Sequence, residues 1–351
     1  MKSRIFVVDD KFMENINKNL EIEVFVPYPN DKQWYKTITD IISDVFQLKI
    51  NDYVFFWQEK KTNPDSYIWG VYRVVSNPFF SDNYFKIKIE RAYDFENPVT
   101  EYDILNDPYN KIDLWNICGK KISGKPRAST PLSPYETEYL IQKLIGANKN
   151  YNFFPSSNKL IKVKNEITIN FKNKYKNKTL TNLSDLDINK ISFFNEDGSL
   201  QYEKFLELLF NYQIHNNNNE ILSQLNINID EIYWYANYLP YSLTRNEIDY
   251  LIMESKDNVA VNKIDLIEFK KDTLDIDHIN RCLIYTKWIN SKLARGNNIT
   301  RPILICTKHK NISKDLKDQI KDLELKYRTQ PLEIYILNCY DEKFSIIKEE
   351  I

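Results

Sequence analysis

Residues 247–271 read EIDYLIMESKDNVAVNKIDLIEFKK. Two apolar, β-rich runs, Ile248–Met253 and Ile264–Phe269, flank a polar stretch with Asp257-Asn258, the pattern of two strands and a turn. Side chains alternate along a strand, so Glu268 and Lys270 share one face while Phe269 takes the other, toward a core. Pairing the runs as a hairpin brings Asp249, near the start of the first, beside Glu268 at the end of the second. Two carboxylates and an ammonium then meet at the margin of an apolar sheet. Two amphipathic strands whose charges merely face water would carry the same pattern.

The trio suits phosphodiester hydrolysis. Carboxylates are hard ligands for magnesium, which polarises a phosphate and activates water, while an ammonium stabilises charge building on phosphorus. The arrangement Asp-x18-Glu-x-Lys between apolar residues resembles the PD-(D/E)xK nuclease superfamily, especially its RecB-like and archaeal NucS-like members. The resemblance implies that Asp249 and Glu268, with the Phe269 carbonyl, hold Mg2+ (Mn2+ being able to substitute), and that Lys270 assists the nucleophile. The Pro-Asp that names the family reads Ile248-Asp249 here. The family also has a preceding helix that often supplies another glutamate. Residues 201–214, QYEKFLELLFNYQI, place Phe205, Leu209 and Tyr212 at helical spacing, with Glu203 and Glu207 on a flank. Glu207 is the first choice for the third acid and Glu203 the second; either could equally be a surface glutamate.

Beyond the hairpin, residues 275–293 predict a helix on which His278, Arg281, Tyr285 and Trp288 form one stripe beside apolar Ile276, Ile279 and Leu283. Arg281-x3-Tyr285 sits where RecB-like nucleases have Gln-x3-Tyr, which suggests contact with DNA phosphate. A strand (303–307), a helix carrying Leu316, Ile320 and Leu323, and a strand (332–337) complete the pattern. The order implies an α/β restriction-endonuclease-like domain over 199–351.

Residues 1–146 hold short strand-like runs at Arg4–Val8, Glu23–Val26, Tyr53–Trp57, Trp69–Val75 and Phe85–Arg91, with a helix predicted over 34–46. These predict a small bent β-barrel with helices, giving an α+β half beside the α/β one. The run INDYVFFWQEKKTNPDSYIWGVYRVVSNPFFSD (50–82) and the later GKPRASTPLSPYETEYLIQKL (124–144) resemble the EVE branch of PUA-like domains, relatives of the YTH RNA readers. The likeness lies in Asn51-Asp52, Phe55-Phe56-Trp57, Gly70-Val71 with Val74, and Pro78-Phe79-Phe80-Ser81-Asp82. It implies a pocket for one modified or flipped base, where stacking on an aromatic face returns about 1–3 kcal/mol. Trp34, Trp57, Trp69 and Trp115 are candidate walls, with Asp82 or Arg127 as polar partners. Trp57 and Trp69 lead because they flank the turn at which such pockets open. Tryptophans of a small barrel are also commonly core.

Residues 147–198 form a lysine- and asparagine-rich connector. Ile161, Val163, Ile167, Ile169, Phe171 and Tyr175 alternate with Lys162, Lys164, Lys172 and Lys174, predicting a hairpin with one lysine face. That face, Lys162 and Lys172 included, could follow a phosphate backbone or simply be solvated.

Composition narrows the classes. With 48 basic and 49 acidic side chains in 351 residues, no bulk charge draws nucleic acid, so DNA contact falls to local patches. No apolar run approaches the roughly 20 residues that span a bilayer, and MKSRIFVVDD lacks the pattern of a signal peptide. Cys118, Cys282, Cys306 and Cys339 have no CxxC spacing, which points to reduced thiols and a cytoplasmic protein. There is no P-loop, so no nucleotide cofactor is expected. The sequence reading is a modification-dependent, Mg2+-requiring DNA endonuclease, possessing one centre per chain and therefore acting as a homodimer or by paired nicks. Its rivals are a NucS-like enzyme cutting mismatched, branched or single-stranded DNA, and a non-enzymatic nucleic-acid-binding adaptor. RNA as the target of the first half stays open.

Overall fold

The computed structural model describes residues 2–27, 34–59, 66–107, 116–117, 129–156, 160–171, 193–194, 200–241, 246–271, 274–307, 312–340 and 343–351. It forms a mixed α/β protein of two compact units: Met1–Tyr28, Asp44–Ile167 and Ser242–Arg245 make the first, and Pro29–Ser43, Thr168–Tyr241 and Asn246–Ile351 the second. The expected boundaries at 146 and 198 therefore shift. Residues up to 167 join the first unit because Phe154 N–H and Ile161 N–H donate to the carbonyls of Ala92 and Val75.

The first unit contains β1 (Ser3–Val8), α1 (Asp10–Asn19), β2 (Glu21–Phe25), β3 (Tyr53–Gln58), β4 (Tyr67–Val74), β5 (Phe79–Ser81), β6 (Tyr84–Arg91), β7 (Val99–Thr100), α3 (Glu101–Leu105), β8 (Ser129–Leu132) and α4 (Pro134–Ala147). The helix α2 (Trp34–Phe46) has the predicted bounds, and its residues 34–43 group with the second unit. One eight-stranded sheet runs β2-β6-β4-β3-β1-β8, with β5 on β6 and β7 on β4. No pairing joins β2 to β8 among the described residues, and the described strands form the curled, half-barrel sheet that the bent β pattern predicts. Its core face gathers Ile5, Phe55, Trp57, Ile68, Val71 and Leu140. Gly70 is needed here: a Cβ would sit 2.7 Å from the Phe55 ring. Helix ends carry their signals. Asp9 accepts from Phe12 N–H at α1, and Ser133 with Glu136 forms a capping box behind Pro134 at α4.

The second unit is built on a six-stranded sheet in the order β14-β13-β12-β11-β10-β9. Its strands are β9 (Ile232–Pro240), β10 (Glu247–Glu254), β11 (Lys263–Lys270), β12 (Thr300–Cys306), β13 (Glu333–Tyr340) and β14 (Lys343–Glu349), with helices α5 (Lys204–His215), α6 (Ile276–Lys292) and α7 (Lys314–Tyr327). β11, β12 and β13 are parallel, with α6 and α7 in the crossovers, and antiparallel strands lie on both flanks. Ile303–Cys306 is buried throughout, the continuous apolar run expected of a parallel strand covered on both faces. Strands β9 and β14 extend the predicted order. The sequence did not single them out, since neither shows strict alternation.

The lysine-faced hairpin expected over 161–175 is absent from its described part. Residues 160–171 form no strand; a single bridge, Glu166 with Phe79, ties them to β5. Residues 161–167 hydrogen-bond to Val75, Pro78 and Phe80 of the first unit, Ile169 N–H donates to Tyr212 OH of the second, and Lys162 and Lys164 are left exposed. Lys172 lies outside the described residues.

Candidate active site

The β10–β11 hairpin forms in the register its apolar pattern demands. Tyr250 faces Ile267, so Asp249 and Glu268, one step further out, face each other. Asp249 N–H donates to Glu268 Oε1 at 3.1 Å, and Phe269 N–H donates to Asp249 Oδ2 at 2.9 Å. Phe269 takes the opposite face, packing edge-on against Phe210 of α5 and Tyr250. The hydrophobic packing beneath thus fixes which way the two acids point.

Cations stand at the rim. Lys270 Nζ lies 2.9 Å from Glu203 Oε1, and Lys271 N–H donates to the other oxygen of Glu203 at 3.3 Å. Arg281 Nε on α6 lies 3.6 Å from Glu268 Oε2, beyond hydrogen-bond reach. That nitrogen is buried without a hydrogen-bond partner, although the Arg281 side chain as a whole is 41% exposed. Burial pushes the Asp249 carboxyl up to about 6, with Lys270 pulling down and Glu203 pushing up. Burial and the facing Asp249 hold Glu268 well above the carboxylate range. Burial lowers His278 against the opposing pull of Asp275, with Lys270 and Arg281 adding to the fall. Burial first, then Glu268, raises the Tyr285 phenol.

The helix glutamate that reaches this end of the hairpin is Glu203, at the start of α5. Glu207, the first choice, lies one turn deeper, is buried, and accepts from Asn237 Nδ2 on β9 at 2.9 Å. A carboxylate committed to that interior contact faces β9, where the expected third acid would have to face Lys270. Tyr285 is also buried, its ring tilted against Tyr241 at 4.8 Å, so of the Arg281–Tyr285 pair only Arg281 is open to a phosphate.

A divalent cation is tested by its donors. Two carboxyl groups face each other with hard oxygens, and burial and mutual repulsion push both above the ordinary carboxylate range; a cation between them relieves that repulsion. Asp249, Glu268 and the Phe269 carbonyl therefore fit such an ion chemically. Among the described residues, no three His, Cys, Asp or Glu side chains are grouped to hold a metal by themselves.

The tryptophans expected to wall a base pocket separate. Trp57 is 2% exposed in the first unit's core, paired across from Ile68. Trp69 pairs with Phe56, one residue out of step, and so sits on the other face of the sheet, its Nε1 donating to Gln58 Oε1 at 2.6 Å. Gln58 in turn donates to Asp10 at 2.6 Å. The two rings cannot close on one base. Asp82 occupies the β5–β6 turn, its side chain 80% exposed, accepting from Ser81 and Lys86. The side chain of Trp34, and all of Trp115 and Arg127, lie outside the described residues.

No protein-family model matches the chain, and no curated protein matches it. Two solved structures show partial likeness. A hypothetical protein from Leishmania major is 10% identical with a TM-score of 0.29, covering 42% of this chain and 96% of its own. The human THYN1 protein, in complex with 5-methylcytosine containing DNA, is 9% identical with a TM-score of 0.30, covering 41% of this chain and 98% of its own. Both scores lie below the level at which two folds can be called the same. No helix among the described residues is long and apolar enough to cross a membrane.

Proposed function

We propose that this chain is a metal-dependent endodeoxyribonuclease, its second unit hydrolysing the phosphodiester and its first recognising DNA that carries a modified base. The observation that carries the reading is the pair of Glu268, buried, and Asp249, partly buried, facing each other across the open end of β10–β11, with Lys270 and Arg281 at its rim. Magnesium held by Asp249, Glu268 and the Phe269 carbonyl would polarise the phosphate and activate water. Arg281, its side chain 41% exposed beside Glu268, would grip a phosphate oxygen. Glu203 orients the Lys270 ammonium toward the reacting group, taking the place intended for Glu207. A carboxyl proton must leave the pair before a cation enters, so the site fills more readily as pH rises past about 6. With one centre per chain, cutting a duplex calls for two copies or for paired nicks.

For recognition, the reading leans on the residue pattern over 50–82 and on Trp69. Its indole is part-buried, held in place by the bond from its Nε1 to Gln58, and would offer a flat face to a base. Trp57 is released from that role by its place in the core.

Digestion of plain, methylated, hydroxymethylated, mismatched and flapped duplexes with magnesium or manganese tests the proposal. Metal-dependent cutting favouring a modified duplex is the expected result. Cutting confined to mismatched or flapped DNA overturns the modified-base half, and no cutting of any DNA overturns the whole.

A further inference from the structure

Tyr238, inside β9, has a φ of 56°, in the left-handed region. Among the described residues, every other non-glycine residue with positive φ lies in a turn, a loop or a helix cap, and this one alone lies within a strand. A residue with a Cβ does not take up that conformation unless its surroundings hold it there.

The strained residue stands opposite the site. Ile248 faces Leu239 and Tyr250 faces Asn237, so Tyr238 is the residue of β9 that faces Asp249. The register is the same on both sides of it, so the strand has not slipped. Residues that face each other across a sheet share one side of it. Asn237 and Tyr250 share the side of α5: Asn237 Nδ2 donates to Glu207 at 2.9 Å, and Tyr250 Oη donates to Asn211 Oδ1 at 2.6 Å. Alternation would therefore turn the Tyr238 ring the other way, onto the side of Asp249 and Glu268.

The ring does not go there. Tyr238 Oη donates to Asp40 Oδ1 of α2 at 3.3 Å. Lys204 Nζ, 2.9 Å from Asp40, lies 4.6 Å from the ring centre. Asn237 reaches the same helix, donating to Ser43 Oγ at 3.4 Å. Two consecutive strand residues thus point to α2, and the positive φ at the second allows it. In an ordinary strand the Tyr238 ring would start from a Cβ roughly 4.5–5.5 Å from that of Asp249. A cation on Asp249 and the phosphate it carries need that space.

We propose that Tyr238 is a positioning residue: drawn off by Asp40 and Lys204, it keeps the flank of Asp249 open to a divalent cation and its phosphate. The inference rests on the hydrolase reading and adds what shapes that site.

The test removes the same ring in variants of opposite backbone preference and reads Mn2+ affinity by calorimetric titration of the full-length chain. Tyr238→Gly and Tyr238→Asn tolerate the left-handed backbone and should bind within about twofold of the parent. Tyr238→Ile resists it, restores the ordinary strand and should bind about 5- to 30-fold more weakly, the equivalent of the left-handed penalty. Loss of the buried ring should lower the melting temperature of the glycine and isoleucine variants alike, so stability does not reproduce the split in affinity. Should Tyr238→Ile fail to fold, Tyr238→Ala takes its place against Tyr238→Gly. Equal affinities in the glycine and isoleucine variants, or weaker binding by glycine, overturn this inference alone. Absence of binding by the parent overturns the hydrolase reading and this inference with it.

Discussion

The two ends of the β10–β11 hairpin each bring a pair of acids together, on opposite faces, and the protein treats them differently. Near the turn, Glu254 and Asp265 are supplied with cations: Lys263 lies 2.6 Å from Glu254, and Arg301 lies 2.7 Å from Asp265. Arg301 also approaches Glu333 at 3.6 Å. Glu254, against the effect of its burial, is brought below its ordinary value by Asp265 and Lys263, while burial and Glu254 carry Asp265 up to about 7. At the open end, Glu268 is as deeply buried while Asp249 is partly so, and the pair is less compensated. Lys270 is engaged with Glu203, and Arg281 stops at 3.6 Å. A paired, hydrogen-bonded buried charge is a structural device; a buried acid pair short of positive charge is a place for a cation. The contrast teaches which pair is scaffold and which is site.

Six substitutions break or sharpen that contrast. Asp249→Ala or Glu268→Ala should abolish metal-dependent cleavage of plasmid DNA, while Glu254→Gln leaves it at the parental rate; equal losses would erase the distinction. Arg301→Ala strips a buried carboxylate of its partner and should cost about 3–5 kcal/mol of stability, read from urea unfolding, with the folded fraction still cutting DNA. Asp249→Asn acts in the opposite sense on stability. Between 3.8 and about 6 the folded state holds more protons at Asp249 than the unfolded chain does, so stability falls as pH rises through that interval and stays lost above it. The asparagine variant escapes the loss. It should melt higher than the parent at neutral pH without metal, by the equivalent of on the order of 3 kcal/mol, and equal it below the interval. Glu203→Gln is the mildest change. It loosens a partly exposed ion pair and should slow cleavage by less than about tenfold with folding intact.

The hairpin and its acids were legible because alternation and burial fix a strand's register: a slip by one residue would have turned Phe269 outward. Arg281 was legible for a similar reason, since helical spacing alone sets its face. Glu203 and Glu207 stand one helical turn apart on one flank, and no periodicity distinguishes them. What separates them is where α5 begins, because Glu203 at its start reaches back to Lys270 while Glu207 is already inside. The tryptophans failed through register across a loop. With Trp69 opposite Phe56 and not Trp57, and a shift between Val54 and Phe56, their rings fall on opposite faces.

Calorimetric titration of Mn2+ into the metal-free chain above neutral pH tests the central claim most directly. The account predicts binding in the parent and in Glu254→Gln, and its loss in Asp249→Asn and Glu268→Gln. Binding that survives in both hairpin-end variants, or that disappears with Glu254→Gln, would place the ion elsewhere and contradict it.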